Sequence, residues 1–361
     1  MKTRLLTGLL AVCLLNTARA QTADDYKSRI AALRSAIDLK LRDTKAGLYY
    51  ETVDSAKNPN KHSWLWPLCA LIQATNEEEA AEPGKSYMPP VEQAIEQYYS
   101  NVPPVPAYQD YVVKERLSSR FYDDNEWVAI AYLDAYNRTH KKKYLEVGEM
   151  IYRFIKSGMD TVAGGGIYWK EGDKTTKNTC SNGPGIIVAL QLYKITKSQE
   201  YLNTALQVYQ WTNRHLQAPD GLYYDHIMLP SLRIGRAIYT YNTGTMLQSD
   251  VLLYEITKDR KYLTEAERVA KAGEAYFVKN GRLPNNYWFN AVMFRGYIEL
   301  FKVDKNPQWI KFFADDANGI WSTEHDQVNL VGARDPKSLI DQAAMIEIFA
   351  RLQELKNSKL Y

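Results

Sequence analysis

Cysteine, histidine and long apolar runs are all scarce in this 361-residue chain, and each shortage excludes something. Of three cysteines, Cys13 lies in the N-terminal apolar run, leaving Cys69 and Cys180. One disulfide is the most these two could make, so a disulfide-stapled scaffold is excluded. The five histidines, His62, His140, His215, His226 and His325, show no ligand spacing; no metal and no other cofactor is expected. His226 reads as a sugar contact or a surface residue. Beyond the N-terminus no apolar run approaches bilayer length. A formal charge of +3 with no basic block argues against a nucleic-acid partner.

The N-terminus does carry a signal. Lys2 and Arg4 precede the apolar run Leu5 to Leu15, and Ala18-Arg19-Ala20 has the form of a cleavage site before Gln21. Residues 1–20 are therefore expected to be a secretory signal peptide, with 21–361 as one catalytic domain. Leu10-Ala11-Val12-Cys13 resembles a lipoprotein box, but bulky Val12 stands where a small residue belongs, making lipidation the lesser alternative.

Aromatic residues are abundant: 27 Tyr, 8 Trp and 9 Phe. Such side chains suit half-buried helix packing and stacking on sugar rings alike. Helical spacing runs from Asp24 to Arg42, and a second helix opens near Trp64 and is expected to end about Thr75. The acidic 77–90 stretch reads as a loop, Val91 to Tyr99 as helix, and Val102 to Val113, with its prolines, as an extended connection.

The chain then repeats. Tyr136 and Tyr144, Tyr193 and Tyr201, Tyr254 and Tyr262 are each eight residues apart with a threonine between them, and Phe301 with Trp309 keeps the spacing. Each unit reads as helix, turn, helix. Residues 24–75 before the set and 338–356 after it fit the same scheme more loosely. Helices that open the units are apolar or small through most turns, which fits burial on several sides. The expectation is an all-α, single-domain closed (α/α)6 barrel, a toroid of about six helical hairpins.

One stretch concentrates acid at the start of such a helix: Phe121-Tyr122-Asp123-Asp124-Asn125-Glu126-Trp127. The plainer reading is Asp123 as N-cap with Glu126 as its capping-box partner. That leaves Asp124 and Asn125 unexplained, and the aromatic surroundings suit a sugar site. Counting twelve residues back from each repeat aromatic gives Asp124, Ser181, Asn242 and Phe289, so Asn178, Asn182, Tyr241 and Asn242 are expected at the same end of the barrel, although asparagines there could equally be caps. Three connections, beginning Gly47-Leu48-Tyr49, Gly166-Ile167-Tyr168-Trp169 and Gly221-Leu222-Tyr223-Tyr224, read as short extended loops or hairpins at that mouth. Candidate substrate contacts are thus Tyr122, Asn125, Trp127, Asn178, Asn182, Tyr241, Asn242, Tyr168, Trp169 and Tyr224.

Adjacent residues in a helix point about 100° apart, so convergence of Asp123 and Asp124 is expected from non-helical torsions at the cap. Retaining glycosidases hold their two carboxyls ~5 Å apart, one attacking the anomeric carbon and the other protonating the leaving oxygen. The carboxylate receiving amide hydrogen bonds stays ionised and raises its neighbour's pKa. This puts Asp123 as nucleophile and Asp124 as acid/base, an order that the sequence alone does not fix. Asp315-Asp316, late in an outer helix, reads as a solvated face.

With Tyr122 to Trp127, Asn178 to Asn182, Gly164-Gly165-Gly166-Ile167 and Thr240-Tyr241-Asn242-Thr243-Gly244, the chain resembles glycoside hydrolase family 76, over most of its length after the leader. The family comprises bacterial endo-α-1,6-mannanases and fungal wall transglycosidases. The resemblance implies an (α/α)6 barrel, retaining hydrolysis of α-1,6-mannan, and Asp123 and Asp124 as the catalytic pair. Thr243 departs from the glutamine expected in many members, which bears on subsites rather than chemistry. The polar end Ser358-Lys359-Leu360-Tyr361 differs from the lipid-anchor signal of the fungal relatives. An exported bacterial enzyme, periplasmic or at the cell surface, monomeric and acting on polysaccharide, is the resulting expectation. The alternatives are a barrel hydrolase for another glycan and a glycan-binding protein without turnover.

Overall fold

The computed structural model describes residues 25–360, and the leader expected over residues 1–20 lies outside them. Twelve α-helices alternate outer and inner along the chain: α1 (Asp25–Lys40), α2 (Leu65–Ala81), α3 (Pro89–Glu96), α4 (Tyr122–Thr139), α5 (Lys142–Ser157), α6 (Thr179–Thr196), α7 (Gln199–Leu216), α8 (Thr240–Thr257), α9 (Arg260–Phe277), α10 (Tyr287–Asp304), α11 (Gln308–Glu324) and α12 (Leu339–Asn357). The even-numbered helices form the inner ring. Each packs on the next, and α12 closes on α2. The odd-numbered helices lie outside, giving the (α/α)6 barrel.

Sequence pattern accounts for the two layers. Outer helices such as α5, α7 and α9 carry one apolar stripe and one charged face, as a helix with one buried side requires. Inner helices bury nearly every turn; in α6 all residues from Thr179 to Leu192 are buried. The sixth hairpin differs from expectation, because residues 338–356 supply a single helix. Its outer partner is α1, so the two ends of the chain complete the ring.

The repeated aromatics mark the turn inside each hairpin. His140, Lys197, Lys258 and Lys305 adopt left-handed torsions, and their N–H groups donate to the carbonyls of Tyr136, Tyr193, Tyr254 and Phe301. Thr139, Thr196 and Thr257 hydroxyls bond back to the carbonyl four residues earlier and accept from the N–H two residues later. The helix is thereby stopped and the next one started with few residues between.

The first part of the stretch read as an acidic loop, residues 77–81, is instead the last turn of α2, while the connection proper runs over 82–88. Glu77, Glu78 and Glu79 are buried there and meet Arg351 at 3.1 Å, Arg34 at 2.8 Å and Arg138 at 2.6 Å. Partners contributed by α1, α4 and α12 make a buried acidic turn tolerable, which local sequence does not reveal. Asp316 is likewise not solvated: it is buried and accepts from Arg282 at 2.6 Å.

At the other end, short strands line the mouth. β1 (Arg42–Asp43) pairs with β2 (Leu48–Tyr49), and β3 (Tyr99–Ser100) with β4 (Ala107–Tyr108). The two later aromatic connections join into one four-stranded antiparallel sheet of β5 (Tyr168–Lys170), β6 (Asp173–Asn178), β7 (Tyr224–Met228) and β8 (Ile234–Ile238). Its register sets Asn178 opposite His226.

A recurring side-chain clasp holds these connections to the barrel. The fourth residue of α4, Asn125, accepts from Tyr108 N (2.8 Å) and donates to the carbonyls of Tyr108 (2.8 Å) and Phe121 (2.7 Å). Asn182, fourth in α6, makes the same three bonds to Ile167 and Asn178. Gln342, fourth in α12, repeats them with Val331 and Ser338. Each amide ties backbone groups of the connection to the first turn of the inner helix.

Candidate active site

A cavity of about 670 Å³ opens at the strand-lined mouth of the barrel, with Asp123 and Asp124 in its wall. Phe121, in extended conformation, is the N-cap of α4 and makes no side-chain cap bond. The capping-box reading of Asp123 and Glu126 therefore fails, and both aspartates lie inside the first turn. They still reach the same cavity because Cα–Cβ bonds lean toward a helix N-terminus, where this cavity sits.

Asp123 is held by donors. Its Oδ1 accepts the Asp124 N–H at 3.0 Å, its Oδ2 accepts the indole N–H of Trp169 at 2.9 Å, and the Cys180 thiol also donates to it. Burial raises its pKa to about 6, with the thiol, indole and amide bonds opposing the rise. Asp124 is pushed well above the carboxylate range by burial, then by the charges of Asp123 and Asp110. Asp123 is the member of the pair that ionises first, and its charge keeps the proton on Asp124. The helix N-terminus also favours an anion here.

Aromatic rings surround the pair. Trp169 packs on Phe121 with centroids 4.9 Å apart. Tyr241 stacks on Phe289 at 4.0 Å, and Trp64 and Trp66 stand at the start of α2 on the same cavity. Asn178 faces it from the end of β6, with its buried Oδ1 lacking a protein partner. Beside it His226 Nδ1 lies 2.8 Å from Asp225, both on the cavity wall. Gly235 makes this possible, since a Cβ there would stand 2.3 Å from the His226 ring.

Of the residues predicted from sequence, Asp123, Asp124, Trp169, Asn178 and Tyr241 meet in this cavity. The others do not. Tyr122 is buried against Phe154 at 4.6 Å, and Trp127 is sealed in the core against Trp288 at 5.4 Å. Asn125 and Asn182 are committed to the clasps described above. Asn242 is fully buried inside the barrel. Tyr168 donates to Asp160 at 2.8 Å outside the cavity, and Tyr224 is half-buried in β7 under the Arg236 guanidinium.

Sequence reasoning did not select Trp64, Trp66, Asp110, Cys180, Asp225 or Tyr239 as site residues. A usable signal existed for two of them. The count of twelve lands on the third residues of α4, α6, α8 and α10, of which Asp124 and Phe289 line the cavity, and the second residues Trp66, Asp123, Cys180 and Tyr241 line it too. Cys69 and Cys180 are both buried and unbridged, so the possible disulfide does not form. Among the described residues no cluster of three potential metal ligands occurs.

A carboxyl pair of divided protonation in an aromatic-lined mouth of an (α/α)6 barrel defines a glycoside hydrolase site. Residues 38–329 match the model of glycosyl hydrolase family 76, and the chain belongs to that family. A family 76 α-mannanase of Bacteroides thetaiotaomicron superposes with a TM-score of 0.86 at 25% identity, covering 93% of this chain and 97% of that one. The GH76A α-1,6-mannanase of Salegentibacter sp. HEL1_6 gives 0.79 at 24% identity, over 91% of this chain and all of that one (100%). Mannan endo-1,6-alpha-mannosidase DCW1 of Saccharomyces cerevisiae is 24% identical over 184 residues, 46% of this chain. That match spans only 41% of the yeast protein's own length. Among the described residues no helix is long and apolar enough to cross a membrane.

Proposed function

We propose that this protein is a retaining endo-α-1,6-mannanase in which Asp123 is the nucleophile and Asp124 the acid/base. Asp123 attacks the anomeric carbon, forming a glycosyl ester, while Asp124 gives its proton to the departing glycosidic oxygen. Water deprotonated by Asp124 then releases the sugar and restores both groups. The observation that carries the assignment is the unequal treatment of the pair: three donors converge on Asp123, whereas burial and two neighbouring anions act on Asp124. Trp169, Tyr241 and Asn178 are read as substrate contacts, two by stacking and one through its unpartnered amide oxygen.

Linkage and sugar come from relatives of the same family named as α-1,6-mannanases and as a mannan endo-1,6-alpha-mannosidase. Residues 1–20 are read as an export leader, residues 21–361 as the catalytic domain, and the enzyme as acting on polysaccharide outside the cytoplasm. The enzyme is read as a monomer.

The test is digestion of unbranched α-1,6-mannan beside α-1,2- and α-1,3-linked mannan. The reading expects oligosaccharides from the α-1,6 polymer alone. Release from another polymer would reassign the substrate, and binding to α-1,6-mannan without release would make this a binding protein.

A further inference from the structure

Aromatic residues are abundant here, yet nearly all are covered. Among the described residues only three aromatic side chains are exposed: Trp169 at 40%, Tyr239 at 39% and Tyr276 at 46%. Single exposed rings are ordinary on a protein surface; what marks these three is that each borders a cavity. Trp169 bonds to the nucleophile. Tyr239 borders the catalytic cavity and also a second cavity of about 470 Å³ between the start of α8, the end of α9 and the 278–286 connection. Tyr276, which does not line the catalytic cavity, lines this second one.

The two cavities share Tyr239 and Phe289 as a common wall. A chain lying across Asp123 and Asp124 therefore has a path over Tyr239 toward Tyr276. Polar groups of the second cavity suit a neutral partner. Arg282, which might otherwise attract an anion, is held by Asp316 at 2.6 Å and Glu324 at 2.8 Å. Lys279 Nζ donates to the Ala275 carbonyl at 2.9 Å. Side-chain amides of Asn285 and Asn286 complete the wall. Aromatic faces with neutral amides and engaged cations fit hydroxyl-rich pyranose rings.

We propose that the second cavity is a distal glycan subsite, holding sugar units of the same chain beyond those at Asp123 and Asp124, with Tyr276 as its stacking platform. This rests on the α-1,6-mannanase reading. The site would give the enzyme a preference for long chains, because only a substrate that spans both cavities gains the contact.

The test compares wild type, Tyr276→Ala and Tyr276→Trp on a ladder of unbranched α-1,6-manno-oligosaccharides ending in the polymer. The reading is the ratio of kcat/KM for the polymer to that for the shortest oligosaccharide cleaved. That ratio should fall roughly threefold to tenfold in Tyr276→Ala, the range of one aromatic contact, and return in Tyr276→Trp, which keeps a stacking face. Tyr276 is half-exposed, and a thermal melt checks that each variant is folded. An unchanged ratio in Tyr276→Ala, or an equal fall in Tyr276→Trp, overturns the inference alone. A wild type inert on the whole ladder overturns the mannanase reading and this inference with it.

Discussion

The indole N–H of Trp169 lies 2.9 Å from Oδ2 of Asp123 and donates to it. Trp169 is carried on β5 and Asp123 on α4, so this bond ties the sheet at the mouth to the barrel. Hydrogen bonds to charged groups contribute about 1.5–3 kcal/mol. Trp169→Phe, which keeps an aromatic face and loses the donor, should lower kcat/KM roughly tenfold to a hundredfold. Steady-state kinetics on α-1,6-mannan checks this, and an unchanged value would mean the bond does not serve the nucleophile.

The pH dependence of kcat/KM should be a bell. On the proposed assignment Asp123 must be ionised to attack and Asp124 protonated to donate, and burial places the pKa of Asp123 at about 6. Activity therefore rises with pH through about 6. It falls again at higher pH as Asp124, held up by burial and by the Asp123 charge, loses the proton it must donate. In Trp169→Phe the acid limb should move to higher pH, because a donor to the ionised form lowers its pKa. An acid limb that stays in place would detach Trp169 from the titration of Asp123.

Asn125 and Asn182 are predicted to serve stability rather than substrate. Each makes three hydrogen bonds to buried or half-buried backbone. At about 1 kcal/mol per bond, Asn125→Ala and Asn182→Ala should each cost roughly 3 kcal/mol in urea denaturation. Variants that remain folded should keep KM near the wild-type value. A large rise in KM with unchanged stability would return these residues to the substrate site.

These clasps also show where sequence reading reached its limit. The toroid was legible, because the paired aromatics mark the turns and the apolar opening helices mark the inner ring. The acid pair was legible as well, since a capping role leaves Asp124 without a purpose. Side-chain direction was not. On β5, neighbours Tyr168 and Trp169 point to opposite faces of the strand, so only one could face the cavity, and spacing alone does not say which. In β7 an irregular register between Tyr224 and His226 brings both Asp225 and His226 to the cavity wall while leaving Tyr224 outside it. Trp127 looked like part of the acidic motif but sits on an inner helix, where a ring of neighbours encloses it. The buried glutamates of α2 depended on arginines far away in sequence.

Glu126 is fully buried two residues after Asp124, and neither of its carboxyl oxygens has a hydrogen-bond partner. Burial, followed by the charges of Asp123 and Asp124, raises its pKa well above the usual range. A carboxyl with a folded pKa above its unfolded value stabilises the fold fully below the unfolded value, and that contribution is lost as pH rises toward the folded pKa. Glu126→Gln, which cannot ionise, should match the wild type near pH 4 and exceed it in urea midpoint at pH 8. Equal midpoints at both pH values would mean that Glu126 does not carry this pH dependence.

The most direct test of the catalytic assignment is proton NMR of the first products released from unbranched α-1,6-mannan by wild type, Asp123→Asn and Asp124→Asn. The account predicts that the α-anomer appears first from the wild type and that neither variant releases product. An initial β-anomer, or substantial release by Asp123→Asn, would contradict it.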